Sequence, residues 1–347
     1  MILAAGLGTR LLPLTNFRPK ALFPIRGITM LEFWIDRLCR FGFDAAFLNA
    51  YHLGEYLAAT VLERQWPIPV SVLGEPVLLG TGGGIKSASR HFGDDPFVVI
   101  NVDIISDAAM RSLYERHKLE GAEVSLLLHD WPEFNNVAVS GEGFVLGFGS
   151  EAEEIQEKVN GVRLMAFTGI HFINPSALAD VAPGIPCDIL SIYRKLISKG
   201  VYPRAITQEN LFWREMGSVS SYMGVTGELA RLAPGRLPPV KTGEYVSIGP
   251  EAVVHPDCCL KGSVVAGRGV RICEGVCLED VILWDDVRIE EGSSLKDCIA
   301  ADGVSISGRH TGKIFAPDLP AREDATRSGQ RKSFLTRSSE RREERQK

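Results

Sequence analysis

Long apolar runs are missing from this chain of 347 residues. No stretch approaches the roughly 20 residues a membrane-spanning helix needs. The opening "MILAAG" also lacks the basic stretch and extended apolar segment of a secretory leader, so a cytoplasmic protein is expected. An excess of basic residues is missing too: the formal net charge is −5, which argues against nucleic acid as the main partner. Paired cysteine motifs are absent. Seven cysteines are present, five of them between Cys258 and Cys298, yet none forms C-x-x-C. That excludes a zinc ribbon and a thioredoxin-type redox motif and favours small buried thiols, with Cys273 and Cys277 left as a weaker zinc pair.

Two glycine-loop signatures are also incomplete. No Gly-Lys-Ser/Thr closes the glycine loop near the start, which excludes a Walker-type phosphate loop. A dinucleotide fingerprint needs a third glycine where Leu11 stands, and Pro13 interrupts the helix that should follow.

What is present alternates. "ILAA", "DAAFLN", "IPVSVL", "PFVVIN" and "EVSLLL" read as short buried strands. Between them "MLEFWIDRLCRFG", "LGEYLAATVLERQ" and "AAMRSLYERHKLEG" carry apolar residues at helical spacing. The alternation predicts an α/β domain over 1–228 with a Rossmann-like, mostly parallel sheet covered on both faces. Ligands of such sheets gather at the carboxyl ends of strands, which points to the loops after "ILAA" and "PFVVIN".

A segment rich in proline and glycine, 229–243, reads as a linker. Beyond it the helical period vanishes. Ile248, Val254, Leu260, Ala266, Ile272 and Leu278 recur every six residues, and after a one-residue slip Leu283, Ile289 and Leu295 continue. Hexapeptide spacing predicts a short left-handed parallel β-helix over 244–310. Residues 311–347, with few apolar side chains and many charges, are expected to be a disordered tail.

The opening loop concentrates the chemistry. Gly6 and Gly8 leave backbone amides bare, so phosphate oxygens can approach them. Arg10 adds a fork of donors, and Lys20, after Pro19, a compact charge. A tight turn with a solvated lysine is the bland alternative.

The full run "LAAGLGTRLLPLTNFRPKALFPI" resembles the start of the nucleoside-diphosphate-sugar pyrophosphorylases, or sugar-1-phosphate nucleotidyltransferases. Many members of that family join such an α/β domain to a hexapeptide β-helix. The resemblance implies transfer of a nucleoside monophosphate to a sugar 1-phosphate with Mg²⁺. Arg10, Lys20 and Asp103 would then be catalytic. Leu3, Ala4, Ala5, Gly6, Gly8 and Thr9 would bind nucleotide. In "GEPVLLGTGGGIKSA", Glu75, Gly80, Thr81 and Gly82 fall where the family contacts base and ribose, although a tight turn at a helix entry explains the same glycines. Asn101, Glu157, Lys158, Thr168 and Gly169 would meet the sugar phosphate. Asp103 and Glu215 would hold the metal, Glu215 standing where the family has Asp.

Some positions depart from the pattern. Val102 replaces a small residue, and "EKVNG" is a worn form of Glu-Lys-Pro, for which a solvated helix face is an equal reading. Only one residue precedes "ILAAG", which reads as a clipped start. Base and sugar stay open: "GEP" with "TGGGI" looks muramate-type and uridylyl, whereas the appended coil looks mannose-type and guanylyl. A regulatory subunit that binds nucleotide sugars without turning them over is a further alternative. So is an acyltransferase site around His255. Homo-oligomerisation through the coil is expected.

Overall fold

The computed structural model describes residues 1–229 and 246–318. Of the expected linker 229–243, Leu229 instead ends the helix Val219–Leu229 and the rest lies outside the described residues, as do 244–245 and the tail from 319 onward. Met1–Ala316 pack as one compact unit; of the second unit, Pro317–Lys347, only Pro317 and Asp318 are described.

The sheet is built around the strand Ile2–Leu3, which pairs in parallel with Ala46–Ala50 on one side and Phe97–Asn101 on the other. Val70–Gly74 extends the first side, also in parallel. Phe97–Ile100 are all buried, the unbroken apolar texture of a strand covered on both faces. The far half of the sheet is organised differently. There the strand Arg163–Ile173, which the sequence pattern did not single out, runs antiparallel to Phe97–Asn101, Val124–His129 and Asn135–Val139.

The helix Met30–Arg40 shows how local signals fit the whole. Thr29 and Glu32 form a capping box that satisfies its first amides. Leu31, Trp34, Ile35 and Leu38 form its buried face, and Trp34 Nε1 donates to Ile104 O at 3.0 Å. That bond ties the helix to the strand just after Asp103.

From Val246 the chain winds into stacked parallel strands that fit a β-helix. The nine residues picked out by the six-residue spacing all lie in or against one apolar cluster inside this coil. Their slip has a structural cause. Strand partners lie 18 residues apart at Leu260↔Leu278 but 17 apart at Val264↔Val281, and 17 apart at Leu278↔Leu295. The first coil holds one extra residue at the Gly262–Ser263 corner. Later coils turn that corner on Asp280 or Asp297, both in the left-handed region at φ 51°. Strands continue to Phe315, past the expected end at 310, because Arg309–Thr311 and Ile314–Phe315 pair with Ser294–Lys296 and Ile299–Ala300. All seven cysteines are free, but only Cys298 is buried and Cys277 is exposed, which corrects the expectation of buried thiols. For Cys277 the cause is its outward-facing position on a coil strand, where alternate residues meet solvent.

Candidate active site

Strand order places the crevice. The chain runs from Ile2–Leu3 outward through Ala46–Ala50 to Val70–Gly74, then crosses to Phe97–Asn101 on the opposite side. Loops diverge at such a switch point, leaving a hollow beyond the strands' carboxyl ends. A cavity of about 290 Å³ lies there, lined by Leu3, Ala4, Ala5, Gly6, Lys20, Asn49, Leu78, Gly80, Thr81, Asn101, Val102 and Asp103. Asn49, Leu3 and Asn101 stand side by side in register across three strands.

Three nominated groups therefore meet on one hollow: the opening loop, the glycine-rich helix start and the Asn101–Asp103 turn. Gly8 is in the left-handed conformation at φ 62°, and a Cβ there would come within 2.6 Å of Thr15 Cγ2 and 2.9 Å of Lys20 Cε. Glycine thus lets the lysine cross the loop. Lys20 Nζ reaches Asp103 Oδ2 at 2.9 Å, with the two side chains 13% and 21% exposed. Nothing lies within 4 Å of a Cβ built on Gly6, so that glycine is not required by packing and leaves an open approach.

Arg10 joins from the rim. Its Nη2 meets Glu215 Oε1 at 2.9 Å, the arginine side chain being 65% exposed. Glu215 arrives there because Trp213–Glu215 pairs antiparallel with Ile104–Ser106 directly after Asp103. Met216 N donates to Asp103 O at 2.7 Å, which ties the two acidic positions together. A Cβ on Gly217 would lie 1.9 Å from Glu215 Oε1 and 2.6 Å from Arg10 Nη2. Only glycine fits beneath this pair.

A divalent cation fits the chemistry of these donors. Asp103, in the turn that lines the cavity, and Glu215, at the end of the strand paired with Ile104–Ser106, are both hard carboxylates, and phosphate oxygens and water complete such a shell in nucleotide sites. Among the described residues no three or more His, Cys, Asp or Glu are grouped so that they could hold a metal ion, the Cys273–Cys277 pair included.

Other nominated residues are engaged by the protein itself. Glu75 accepts from Asn49 Nδ2 at 2.8 Å and from Leu79 N at 2.9 Å, while Asn49 Oδ1 accepts from Ala4 N at 2.8 Å. This relay ties the loop after Val70–Gly74 to the opening loop. The glycine run is the first turn of a helix, Gly80–Ser89, rather than a loop before one. Gly82 N and Gly83 N both donate to Cys187 O, and Cβ atoms on Gly80, Gly82 and Gly83 would strike the 185–192 segment. Their small size is therefore a packing requirement. Burial pushes the Cys187 thiol up, with Asp188 adding to the effect.

Thr168 is 1% exposed, and its hydroxyl donates to Leu127 O at 2.7 Å. Gly169, at φ 80°, clears the Asn101 side chain, whose Nδ2 would lie 2.7 Å from a Cβ there. Glu157 and Lys158 are exposed at the end of the helix Ser150–Lys158 and do not line the cavity; Lys158 pairs with Glu154 at 3.1 Å. Thr9 and Gly8 border the opening turn without lining the hollow. The sequence reading missed Asn49 and Leu78. One signal was available: "AFLNA" and "FVVIN" both bring an asparagine to the carboxyl end of a parallel strand.

A family model described as Nucleotidyl transferase matches residues 1–231. The chain is 30% identical to the N-acetylmuramate alpha-1-phosphate uridylyltransferase of Caulobacter vibrioides over 242 residues, 66% of this chain and 96% of the relative. It is 26% identical to the mannose-1-phosphate guanylyltransferase of Mycobacterium tuberculosis over 294 residues, 83% of this chain and 80% of the relative. The crystal structure of HddC from Yersinia pseudotuberculosis complexed with GMP-PN superposes with a TM-score of 0.55 at 19% identity. That match covers 66% of this chain and 97% of HddC, and it speaks for the fold.

Proposed function

Because the chain belongs to the nucleotidyl transferase family, we propose that it moves a nucleoside monophosphate from a nucleoside triphosphate to a sugar 1-phosphate, yielding a nucleoside-diphosphate sugar and pyrophosphate. The observation that carries this reading is the convergence of Ala4–Gly6, Lys20 and Asp103 on one cavity, with Arg10 and Glu215 paired alongside Asp103.

A sugar-phosphate oxygen attacks the α-phosphorus in line, and the bond to the pyrophosphate oxygen breaks. The nucleophile is already an anion, so the protein's task is positioning and neutralisation. Lys20 rests on Asp103 in the hollow and Arg10 on Glu215 outside its lining, and each would exchange that carboxylate for phosphate oxygens. Asp103 and Glu215 would hold Mg²⁺, which supplies neutralisation of triphosphate and leaving-group charge when bound. Leu3, Ala4, Ala5, Gly6, Gly8 and Thr9 would receive the phosphates; Gly80 and Thr81 would face the base and ribose, and Asn101 and Gly169 the sugar.

We place mannose 1-phosphate with GTP first, because the mannose-type relative is matched well past residue 231. UTP with an amino-sugar or muramate 1-phosphate is the second reading, favoured by the higher identity of the uridylyl relative. A grid of nucleoside triphosphates against sugar 1-phosphates with Mg²⁺, read by pyrophosphate release, decides between them. Absence of release across the whole grid, with nucleotide sugar still bound, would support a non-catalytic subunit instead. The coil is proposed as a left-handed hexapeptide β-helix that joins copies of the chain, and the protein as cytoplasmic.

A further inference from the structure

Two residues before Lys20 stands another cation with a different environment. Arg18 is 6% exposed, although it lies in the same loop. Its Nη2 meets Asp285 Oδ2 at 3.0 Å and Asp302 Oδ1 at 2.5 Å, and its guanidinium carbon sits 4.8 Å from the centre of the Trp284 ring. All three partners belong to the stacked coil, and Asp285 N donates to Asp302 Oδ1 at 3.0 Å, locking successive turns together. The opening loop is therefore gripped by the far end of the sequence.

The grip extends along the loop. Arg18 Nη1 reaches Leu22 O at 3.5 Å, across the short turn Lys20–Leu22. Phe23 packs edge-on against Trp284 with ring centres 4.8 Å apart. Tyr222 donates its hydroxyl to Pro24 O at 2.7 Å and accepts from Trp284 Nε1 at 3.3 Å. Thus Arg18, Phe23 and Pro24 are pinned on both sides of Lys20, and Pro19 fixes the intervening backbone at φ −66°. Lys20 alone turns to the cavity.

We propose that Arg18 is a positioning residue for the nucleotidyl transfer: clamped by Asp285 and Asp302 over Trp284, it makes the coil a working part of the active site by fixing where Lys20 presents its charge. An arginine suits this place because its planar fork serves two carboxylates and an aromatic face together, which an ammonium cannot. A buried ion pair contributes little net stability compared with apolar residues of like volume. Its distinctive effect is geometric. Displacing a charge by about 1 Å at a reacting phosphate costs up to about 10²-fold in rate.

The inference rests on the role given to Lys20, so the test includes that residue. Turnover and Michaelis constants would be compared for Arg18→Met, Arg18→Lys, Asp302→Asn, Lys20→Ala and Leu295→Ala, each assayed well below its own melting temperature. Leu295→Ala loosens the coil core without touching the clamp. The expected result is a fall in kcat of about 10- to 100-fold for Arg18→Met, with both Michaelis constants within about twofold. Arg18→Lys should recover part of it, and Leu295→Ala should lose thermal stability but keep kcat. Should Arg18→Met fail to fold, Asp302→Asn carries the same test, because it leaves Asp285 and a neutral acceptor around the cation. Parent-level kcat in the soluble clamp variants, or an equal kcat loss in Leu295→Ala, overturns the clamp while leaving Lys20 in place. Parent-level turnover in Lys20→Ala overturns both readings.

Discussion

The crevice and the closed contacts behind it use the same residue types to opposite ends. At the crevice, Lys20 and Arg10 each have one carboxylate partner among the described residues and an open side, the cavity for Lys20 and solvent for Arg10. Behind it, Arg18 has two carboxylates and an aromatic roof, and His171 is fully enclosed with the Tyr193 hydroxyl on its Nδ1. A buried group held by several partners fixes geometry, because any movement breaks more of those contacts. A group with one partner and a cavity beside it can exchange that partner for a ligand. The difference separates the working face of this protein from its frame.

The largest effect should come from the open side. Lys20→Ala or Asp103→Asn is expected to lower kcat at least about 10²–10³-fold, on the scale of losing one preorganised transition-state donor. Circular dichroism should be unchanged, since the two side chains support each other more than the core. Initial-rate measurements of pyrophosphate release check this. A variant with near-parent kcat would place the pair among the frame contacts and dissolve the contrast.

The closed side should answer to pH rather than to substrate. Burial lowers the His171 pKa from 6.5 to about 3, and burial likewise lowers that of His117. Between pH 3 and 6.5 the unfolded chain then binds a proton at His171 that the folded chain does not, so stability rises with pH across that window. It is complete above about 6.5 and is lost as pH falls, at up to about 1.4 kcal/mol per pH unit for this group. Urea titrations at pH 7 and pH 5 should show the parent losing about 2 kcal/mol more than His171→Gln. Equal losses in the two proteins would mean that the enclosure of His171 contributes nothing to the pH response.

Much of this division is legible in the sequence. The strand–helix alternation, the carboxyl-end location of the ligand loops and the spaced cations Arg10 and Lys20 follow from period, sheet geometry and charge. The coil's interior residues were legible because only their spacing repeats. What escaped were contacts between distant segments. Nothing local marks Arg18 as the partner of Asp285 and Asp302, 267 and 284 residues away. Likewise nothing local shows that the amide of Gly82, nominated for the base and ribose, donates to Cys187 O. The strand Arg163–Ile173 was missed because Thr168, Gly169 and His171 break its apolar run and it shows no alternation to betray its antiparallel pairing.

Lys158 provides the smallest effect and the sharpest limit on the comparison. Like Lys20 it has one carboxylate partner, Glu154 at 3.1 Å, but the two side chains are 70% and 67% exposed and belong to one helix face. If a single partner sufficed to make a cation a ligand group, Lys158→Ala would depress turnover as Lys20→Ala does. The argument from geometry requires a cavity as well, where low exposure strengthens the charge's interaction with phosphate. An exposed pair four residues apart on a helix contributes about 0.3–0.5 kcal/mol. Lys158→Ala should therefore change kcat and the sugar-phosphate KM by less than about twofold. A rise in that KM of tenfold or more would show that the helix end moves onto the substrate, and that openness of the partner set, rather than the hollow seen here, defines the working face.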